Sequence, residues 1–380
     1  MTALADAYIT GVGAFLPGEP VSNARMEDHL GRIGGRDSLL GRRALRWNGV
    51  ESRHYALDAA GRPQHSNGSM CAAAVRAALD DAGLSAADLG LLAAATTQGD
   101  YLVPGHAAAV HGELGCGPLE IASFQSVCGS SLMAAKAAWQ AVRTREHRVA
   151  TACAGEFSSR WFRPGFYEGT TLVDAKGRLR AEADFLRFTL SDGAGAVVME
   201  PAPRPGALSL KVEFIDLVSL AGAFDPCMWA GASVEARADP LSTWAHAGPR
   251  EAHAAGAVAL LQDFELLKRV IRAWVGVYLQ KIDQGRIKPS EIDHLLCHYS
   301  AKSLREEIVS LLENTDGMIP EGKWFSNLRE VGNIGSASIW VMLEAFLRSG
   351  RLKAGEKVLC VVPESGRAFV GFMMLEAVAG

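Results

Sequence analysis

The stretch Ser123-Phe-Gln-Ser-Val-Cys128-Gly-Ser-Ser-Leu-Met-Ala-Ala-Lys-Ala-Ala-Trp139 decides how this chain is read. An apolar approach ends at a single cysteine, three small residues follow, and an alanine-rich helix begins. That order predicts the Cys128 thiol at a helix N-terminus, where unpaired N–H groups and the helix dipole favour a thiolate, the nucleophilic form. The same residues also suit a buried cysteine filling space beneath a small-residue helix, because free cysteine is among the most buried residue types. The rest of the chain separates the two readings.

Working outward, the surroundings of Cys128 recur. In the first half a helix pattern (Cys71, Val75, Ala78, Leu79, Ala82) stops at Gly83; Ser85-Ala-Ala-Asp88 and a strand-like run from Leu91 to Ala95 follow. In the second half Phe264, Leu267, Ile271, Trp274 and Tyr278 form one helical stripe. Pro289-Ser-Glu-Ile-Asp293 and Leu295-Leu-Cys297 follow it, and Asn333 then opens a helix of its own. Asp88 precedes Cys128 by 40 residues, and Asp293 precedes Asn333 by 40. Small residues follow both: Gly129-Ser-Ser131 after Cys128, and Gly335-Ser-Ala337 after Asn333. Each of these helices leads to a β-type run, 148–154 and 357–362, and each half closes on a glycine-marked strand, 193–199 and 366–375.

Strands alternating with helices predict parallel sheets covered by helices. Duplicated, they predict an α/β protein of five layers, α/β/α/β/α, with residues 1–205 forming one half and 206–380 the other. Two small-residue helices then lie at the centre between the sheets, and their N-termini, carrying Cys128 and Asn333, face each other.

Composition fits such a body. Of 380 residues, 49% are hydrophobic and 21% charged, enough to build a large core. A formal charge of -4 gives no reason to expect nucleic acid or an anionic membrane as partner. The seven cysteines, an odd number without paired spacing, argue against a disulfide framework and for a reducing cytosol. No apolar run is long enough to span a bilayer and no signal-peptide pattern opens the chain, so a cytoplasmic location is expected. No His/Cys/Asp cluster has zinc-ligand spacing, so no metal is expected. Gly193-Ala-Gly195 could suggest a nucleotide loop, but a short G-x-G with no helix behind it is a weak signal.

Taken together, Cys128-Gly-Ser-Ser, Cys297-His298-Tyr-Ser, Val331-Gly-Asn333-Ile-Gly-Ser, Asp192-Gly-Ala-Gly195 and Ser365-Gly366 resemble the thiolase-fold condensing enzymes, most closely the ketoacyl-ACP synthase III branch, over residues 7–378. Alone, His298 reads as a bystander at a strand end and Asn333 as an N-cap. The resemblance implies instead that Cys128, His298 and Asn333 form one catalytic centre. It implies that Cys128 takes an acyl group from a carrier thioester and that the N–H groups of Cys128 and Gly366 hold the oxyanion. His298 and Asn333 would then stabilise the enolate of a second thioester, which makes a carbon–carbon bond. The substrates implied are acyl-CoA or acyl carrier protein thioesters, with no further cofactor, and the assembly implied is a homodimer, with Tyr101-Leu-Val-Pro104 where a partner reaches the neighbouring pocket.

The chain departs from that branch at informative places. After the histidine the usual run is His-Gln-Ala-Asn-x-Arg; here it is His298-Tyr-Ser-Ala-Lys-Ser, with Ser303 replacing the carrier-contact arginine and Lys302 and Arg305 close by. The segment expected to meet the carrier's nucleotide reads Arg42-Arg-Ala-Leu-Arg46-Trp47, so Arg46, Trp47, Lys302 and Arg305 are candidate carrier contacts; a solvated charged face is the alternative. Phe15-Leu-Pro-Gly-Glu-Pro-Val-Ser-Asn and Leu45-Arg-Trp-Asn-Gly-Val-Glu-Ser-Arg-His-Tyr are similar to the ketosynthase/cyclases of bacterial dialkylresorcinol and cyclohexanedione biosynthesis, which are held to join a β-ketoacyl to a 2-enoyl thioester and close a six-membered ring. An ordinary synthase III using malonyl-ACP, an acyltransferase to oxygen or nitrogen, and a non-catalytic partner subunit are the alternatives. Met228, Trp229, Trp244 and residues 251–261 are expected to form an apolar lid, or else core or interface.

Overall fold

In the computed structural model, which describes residues 4–38 and 40–380, strand alternation sets the architecture. The first half contributes strands Tyr8–Phe15 (β1), Leu91–Thr96 (β2), Glu120–Gln125 (β3), Ala150–Glu156 (β4) and Gly193–Glu200 (β5). The second contributes Leu208–Ser219 (β6), His294–Cys297 (β7), Lys357–Glu364 (β8) and Phe369–Ala379 (β9). The main helices are Asn67–Ala82 (α1), His106–Leu114 (α2), Ser130–Arg143 (α3), Phe264–Asp283 (α4), Lys302–Leu312 (α5) and Ser338–Arg348 (α6).

Alternate residues of each strand enter different cores, as the two-residue period demands. Leu91, Ala93 and Ala95 of β2 share a central core with Leu132, Ala135 and Ala138 of α3 and with Trp340 and Leu343 of α6. Leu92 and Ala94 face the opposite way, onto Met70, Ala74 and Ala78 of α1. In the second half Val358, Cys360, Met373 and Leu375 turn to the same central core. Leu359, Phe372 and Met374 turn outward onto Val270, Ile271 and Trp274 of α4. The result is five layers: α1 and α2, a half-sheet, α3 and α6, a half-sheet, α4 and α5. Small residues are what let the central layer close. A Cβ at Gly195 would stand 2.5 Å from the Trp340 Cβ, so Gly193-Ala-Gly195 is strand packing against α6 and not a nucleotide loop.

The sheets correct two expectations. The nine strands are hydrogen-bonded in the single order β7-β8-β9-β6-β1-β5-β4-β2-β3, although within the sheet the two halves are joined by a short pairing of β1 with β6, Tyr8 opposite Lys211 and Ile9 opposite Leu210. They are also mixed and not purely parallel. Only β2 with β3, β2 with β4, and β7 with β8 run parallel, whereas β5 and β9 return antiparallel to β4 and β8. The reason for β9 is local: four residues, 365–368, join it to β8, too few for a crossover. Among the described residues no helix is long and apolar enough to cross a membrane.

Two connecting segments, 157–192 between β4 and β5 and 220–263 between β6 and α4, pack together as a cap. Met228–Trp229 pairs with Leu261–Gln262, and Trp229, Leu261, Tyr167, Leu172 and Leu179 make a small core of their own.

Candidate active site

Cys128 stands one residue before Gly129, the N-cap position of α3, in the turn that leaves β3. Ser130 Oγ donates to the Val127 carbonyl (2.8 Å) and Ser131 Oγ to that of Cys128 (2.9 Å), which tightens the turn. The side chain is 7% exposed. Burial, and after it the carboxyl groups of Glu364 and Glu156, hold the thiol well above its usual pKa. This corrects the expectation of a resting thiolate. A helix terminus contributes about 0.3–1 kcal/mol, less than one pKa unit, and burial outweighs it. The resting Cys128 is a thiol.

His298 follows the last residue of β7, and its own N–H is fixed to the Val361 carbonyl at 2.8 Å. The ring is buried, and burial alone brings its pKa down to about 4, so the imidazole is neutral at physiological pH. Its Nε2 is buried without a hydrogen-bond partner among the described residues. The neighbouring Cys297 lies in the outer core of the second half, as alternation along the strand requires.

Asn333 departs from the sequence reading in detail. It does not open α6: its backbone is clamped between Thr189 and Ser191, accepting from the Ser191 N–H at 2.8 Å, and a 3₁₀ turn, Gly335–Ala337, intervenes before the helix. Its Oδ1 accepts the Gly335 N–H at 2.9 Å, so the carboxamide oxygen is used in the turn. The amide nitrogen is left as the side chain's available donor.

The structure brings these three residues onto one cavity of about 850 Å³. Gly366 sits beside them in the β8–β9 turn; a Cβ there would lie 3.0 Å from Val127, the residue before the nucleophile candidate. Neither its N–H nor that of Cys128 donates to another described residue. Its carbonyl accepts from Cys227 (2.8 Å) and Met228 (3.3 Å) of the cap. The cavity's apolar lining comes from separate packing clusters: Trp161, Phe166, Phe185 and Trp229 from the first-half and cap cores, and Leu267, Ile271, Trp274 and Ile308 from the outer core of the second half. A smaller cavity of about 50 Å³ adjoins it, with Trp274, Ile308 and Pro363 lining both. Met228, Trp229 and Trp244, and Val258 and Leu260 of the 251–261 segment, all line the large cavity.

The carrier candidates lie outside it. Arg46 and Trp47 are exposed on the helix Gly41–Asn48, and Arg43 stacks on Trp47 at 5.9 Å. The side chain of Arg42 is outside the described residues. Lys302 adjoins this helix, since a Cβ at Gly49 would stand 2.8 Å from its Cβ. Arg305 is engaged elsewhere, 2.6 Å from Glu321 and stacked on Trp324. Tyr101, Leu102 and Val103 are 65%, 72% and 83% exposed, and Tyr101, Leu102 and Pro104 stand at the cavity.

Sequence reasoning missed Glu156 and Glu364, the carboxyl groups nearest this machinery. Their signal was a glutamate at the end of an otherwise apolar strand in each half, Glu156 closing β4 and Glu364 closing β8.

Comparison with known proteins agrees with this architecture. Residues 54–204 match the N-terminal domain of the β-ketoacyl synthases, and residues 282–374 match the C-terminal domain of 3-oxoacyl-[acyl-carrier-protein] synthase III. The chain is similar in structure to AbyA1, a tetronic acid condensing enzyme (TM-score 0.75, 22% identity, 97% of this chain and 99% of that one). It is also similar to 3-oxoacyl-[acyl-carrier-protein] synthase III of Aquifex aeolicus VF5 (0.71, 18%, 97% and 99%). A third similar structure is Xanthomonas campestris OleA with bound lauric acid and lauroyl-CoA (0.71, 19%, 98% and 99%). The two domain models between them cover more than half of the sequence. The chain belongs to the thiolase-fold condensing enzymes, in the ketoacyl synthase III branch, and is an acyltransferase of the condensing type.

Proposed function

We propose that this condensing enzyme joins a β-ketoacyl thioester to a 2-enoyl thioester through an acyl-Cys128 intermediate and closes a 1,3-cyclohexanedione ring. The observation that carries the reading is one cavity of about 850 Å³ with a largely apolar lining that holds a thiol, a neutral imidazole with an unpartnered Nε2 and a carboxamide. Cys128 Sγ attacks the first thioester carbonyl; the new C–S bond forms, the carrier's C–S bond breaks, and the carrier leaves as a thiol with the proton Cys128 gives up. The N–H groups of Cys128 and Gly366 receive the oxyanion. A neutral His298 can donate one N–H to an enolate oxygen beside the Asn333 amide, without first giving up a proton.

For the cyclising reaction, with the enoyl group on Cys128, the α-carbon of the β-keto thioester gives a proton to solvent and adds to the enoyl β-carbon, and the enoyl α-carbon takes up a proton. The carbon on the far side of the ketone, deprotonated in turn, then attacks the acyl-Cys128 carbonyl, closing the six-membered ring and releasing the Cys128 thiolate, which takes up the proton; the β-keto group's own carrier thioester stays on the ring. Two acyl chains must be held beside one sulfur, and a cavity of about 850 Å³ with apolar lining from two packing clusters is in keeping with that. OleA holds lauric acid and lauroyl-CoA on the same fold, which is in keeping with apolar chains delivered as coenzyme A thioesters. The exposed Arg46, Trp47 and Lys302 suit the carrier's anionic nucleotide or an acyl carrier protein, and Arg305 does not. The free edge of β3, with Ile121 41% exposed, and the exposed Tyr101–Pro104 loop support a homodimer. Unpaired cysteines throughout support a reducing, cytoplasmic setting.

The test is product analysis by mass spectrometry with both thioesters supplied, against acyl-CoA with malonyl-ACP. A cyclic dione from the pair is expected. A linear β-ketoacyl product from the control, with no ring from the pair, would make the chain an ordinary synthase III.

A further inference from the structure

Two buried glutamates cross between the halves. Glu364 ends β8 of the second half, yet its Oε2 accepts the Gly129 N–H at 2.8 Å and its Oε1 the Ser126 hydroxyl at 2.6 Å, both in the Cys128 turn of the first half. Glu156 ends β4 of the first half, yet its Oε1 accepts the Ser336 N–H at 3.1 Å and the Ser336 hydroxyl at 2.6 Å, in the Asn333 turn of the second half. The same oxygen takes the Thr97 N–H and hydroxyl at 3.0 and 2.8 Å. Glu156 is 4% and Glu364 2% exposed. Both turns are shaped around these carboxyls. A Cβ at Gly129 would stand 2.9 Å from Glu364 Oε2, one at Gly366 2.9 Å from Oε1, and one at Gly335, where φ is +51°, 3.0 Å from the Glu156 Cγ. Glu364 therefore touches both turns expected to donate the oxyanion N–H groups, and Glu156 touches the residues that follow Asn333.

We propose that Glu364 and Glu156 are positioning residues with separate duties: Glu364 sets the nucleophile and oxyanion turns for acyl loading, and Glu156 sets the Asn333 turn for condensation. A buried carboxyl is costly unless hydrogen-bonded, and a core that needed only volume would use an apolar residue. Placing one at the same point of each half, reaching into the other, makes each half hold the other's reactive turn. Neither side chain is assigned contact with the reacting atoms.

The inference rests on Cys128 loading and Asn333 serving condensation, so wild-type loading is measured first and separates failure of that reading from failure of this one. Loading is followed by intact mass after mixing with acyl-CoA, and condensation by product release from the pre-loaded enzyme. Glu364→Ala is expected to slow loading about 10²-fold, the effect of an ångström-scale misplacement. Glu364→Gln, which keeps an acceptor for Gly129, should recover to within about tenfold of wild type. Glu156→Ala should load within about twofold of wild type and lose about 10²-fold in condensation of the pre-loaded enzyme. Ser126→Ala and Ser336→Ala, which spare both carboxyls, should shift the same steps more weakly. Hydrogen exchange reads the tethers with no substrate: residues 126–132 should lose protection in Glu364→Ala only, and residues 333–339 in Glu156→Ala only. Equal damage to both steps by both glutamate variants, or loss of protection spread over both turns in each, would reduce the pair to general packing and overturn the proposal.

Discussion

The turn at Cys128 and the turn at Asn333 occupy matched places in the repeat and are built differently. Cys128 sits directly against the first turn of α3, lining the cavity, and its N–H has no partner among the described residues. Asn333 is held in a strand-like bridge with Leu190, spends its Oδ1 on Gly335, and is separated from α6 by a 3₁₀ turn. One frame has yielded a thiol open to the cavity, and the other a carboxamide with its oxygen tied down. On the proposed reaction the difference would be a division of labour: the first half would form and hold the acyl group, and the second half would stabilise the carbanion that attacks it.

The largest effect expected from breaking that division is at the sulfur. Cys128→Ala should carry no acyl adduct by intact mass while keeping its melting temperature, and an adduct persisting on another cysteine would erase the distinction between the halves. Next come His298→Ala and Asn333→Ala, which should still load acyl groups at Cys128 and lose about 10²–10³ in product formation, the range for removal of an oxyanion donor. Near wild-type condensation by both variants would remove the second half from the chemistry.

A smaller effect concerns pH. Burial holds His298 at a pKa of about 4, so its protonation should not limit condensation near neutrality. The sign of the linked stability follows: the unfolded chain binds this proton near pH 6.5 and the folded chain only near 4. Folding stability from this group is therefore complete above the unfolded value and falls as pH drops from there towards 4. His298→Asn should flatten that part of a melting-temperature profile against pH; an unchanged profile would mean that the ring is not buried neutral. The smallest effect is at the surface. Trp47→Ala should raise KM for an acyl-CoA by a factor of a few and leave kcat alone, and a fall in kcat would tie the carrier face to the reacting centre.

Much of this was legible in the sequence because it depended on local pattern. The stripe on α4, the stop of α1 at Gly83 and the 40-residue spacings each follow from periodicity or turn chemistry within one segment. What was not legible depends on contacts between distant segments. The resting state of Cys128 is set by burial and by carboxyls 28 and 236 residues further along the chain. Arg305, a carrier candidate in the sequence, is engaged by Glu321 and Trp324, and β9 returns antiparallel because its connection is short. A helix dipole can be read from one segment, but the burial that outweighs it cannot.

Whether the first half loads and the second condenses can be read in a single turnover of enzyme pre-acylated at Cys128 and freed of donor. On addition of the second thioester, the acyl mass should disappear from the Cys128 peptide at the rate at which carbon–carbon product appears, and in Asn333→Ala the adduct should persist. Product released while the Cys128 adduct remains, or formed equally well by Cys128→Ala, would contradict that division of labour.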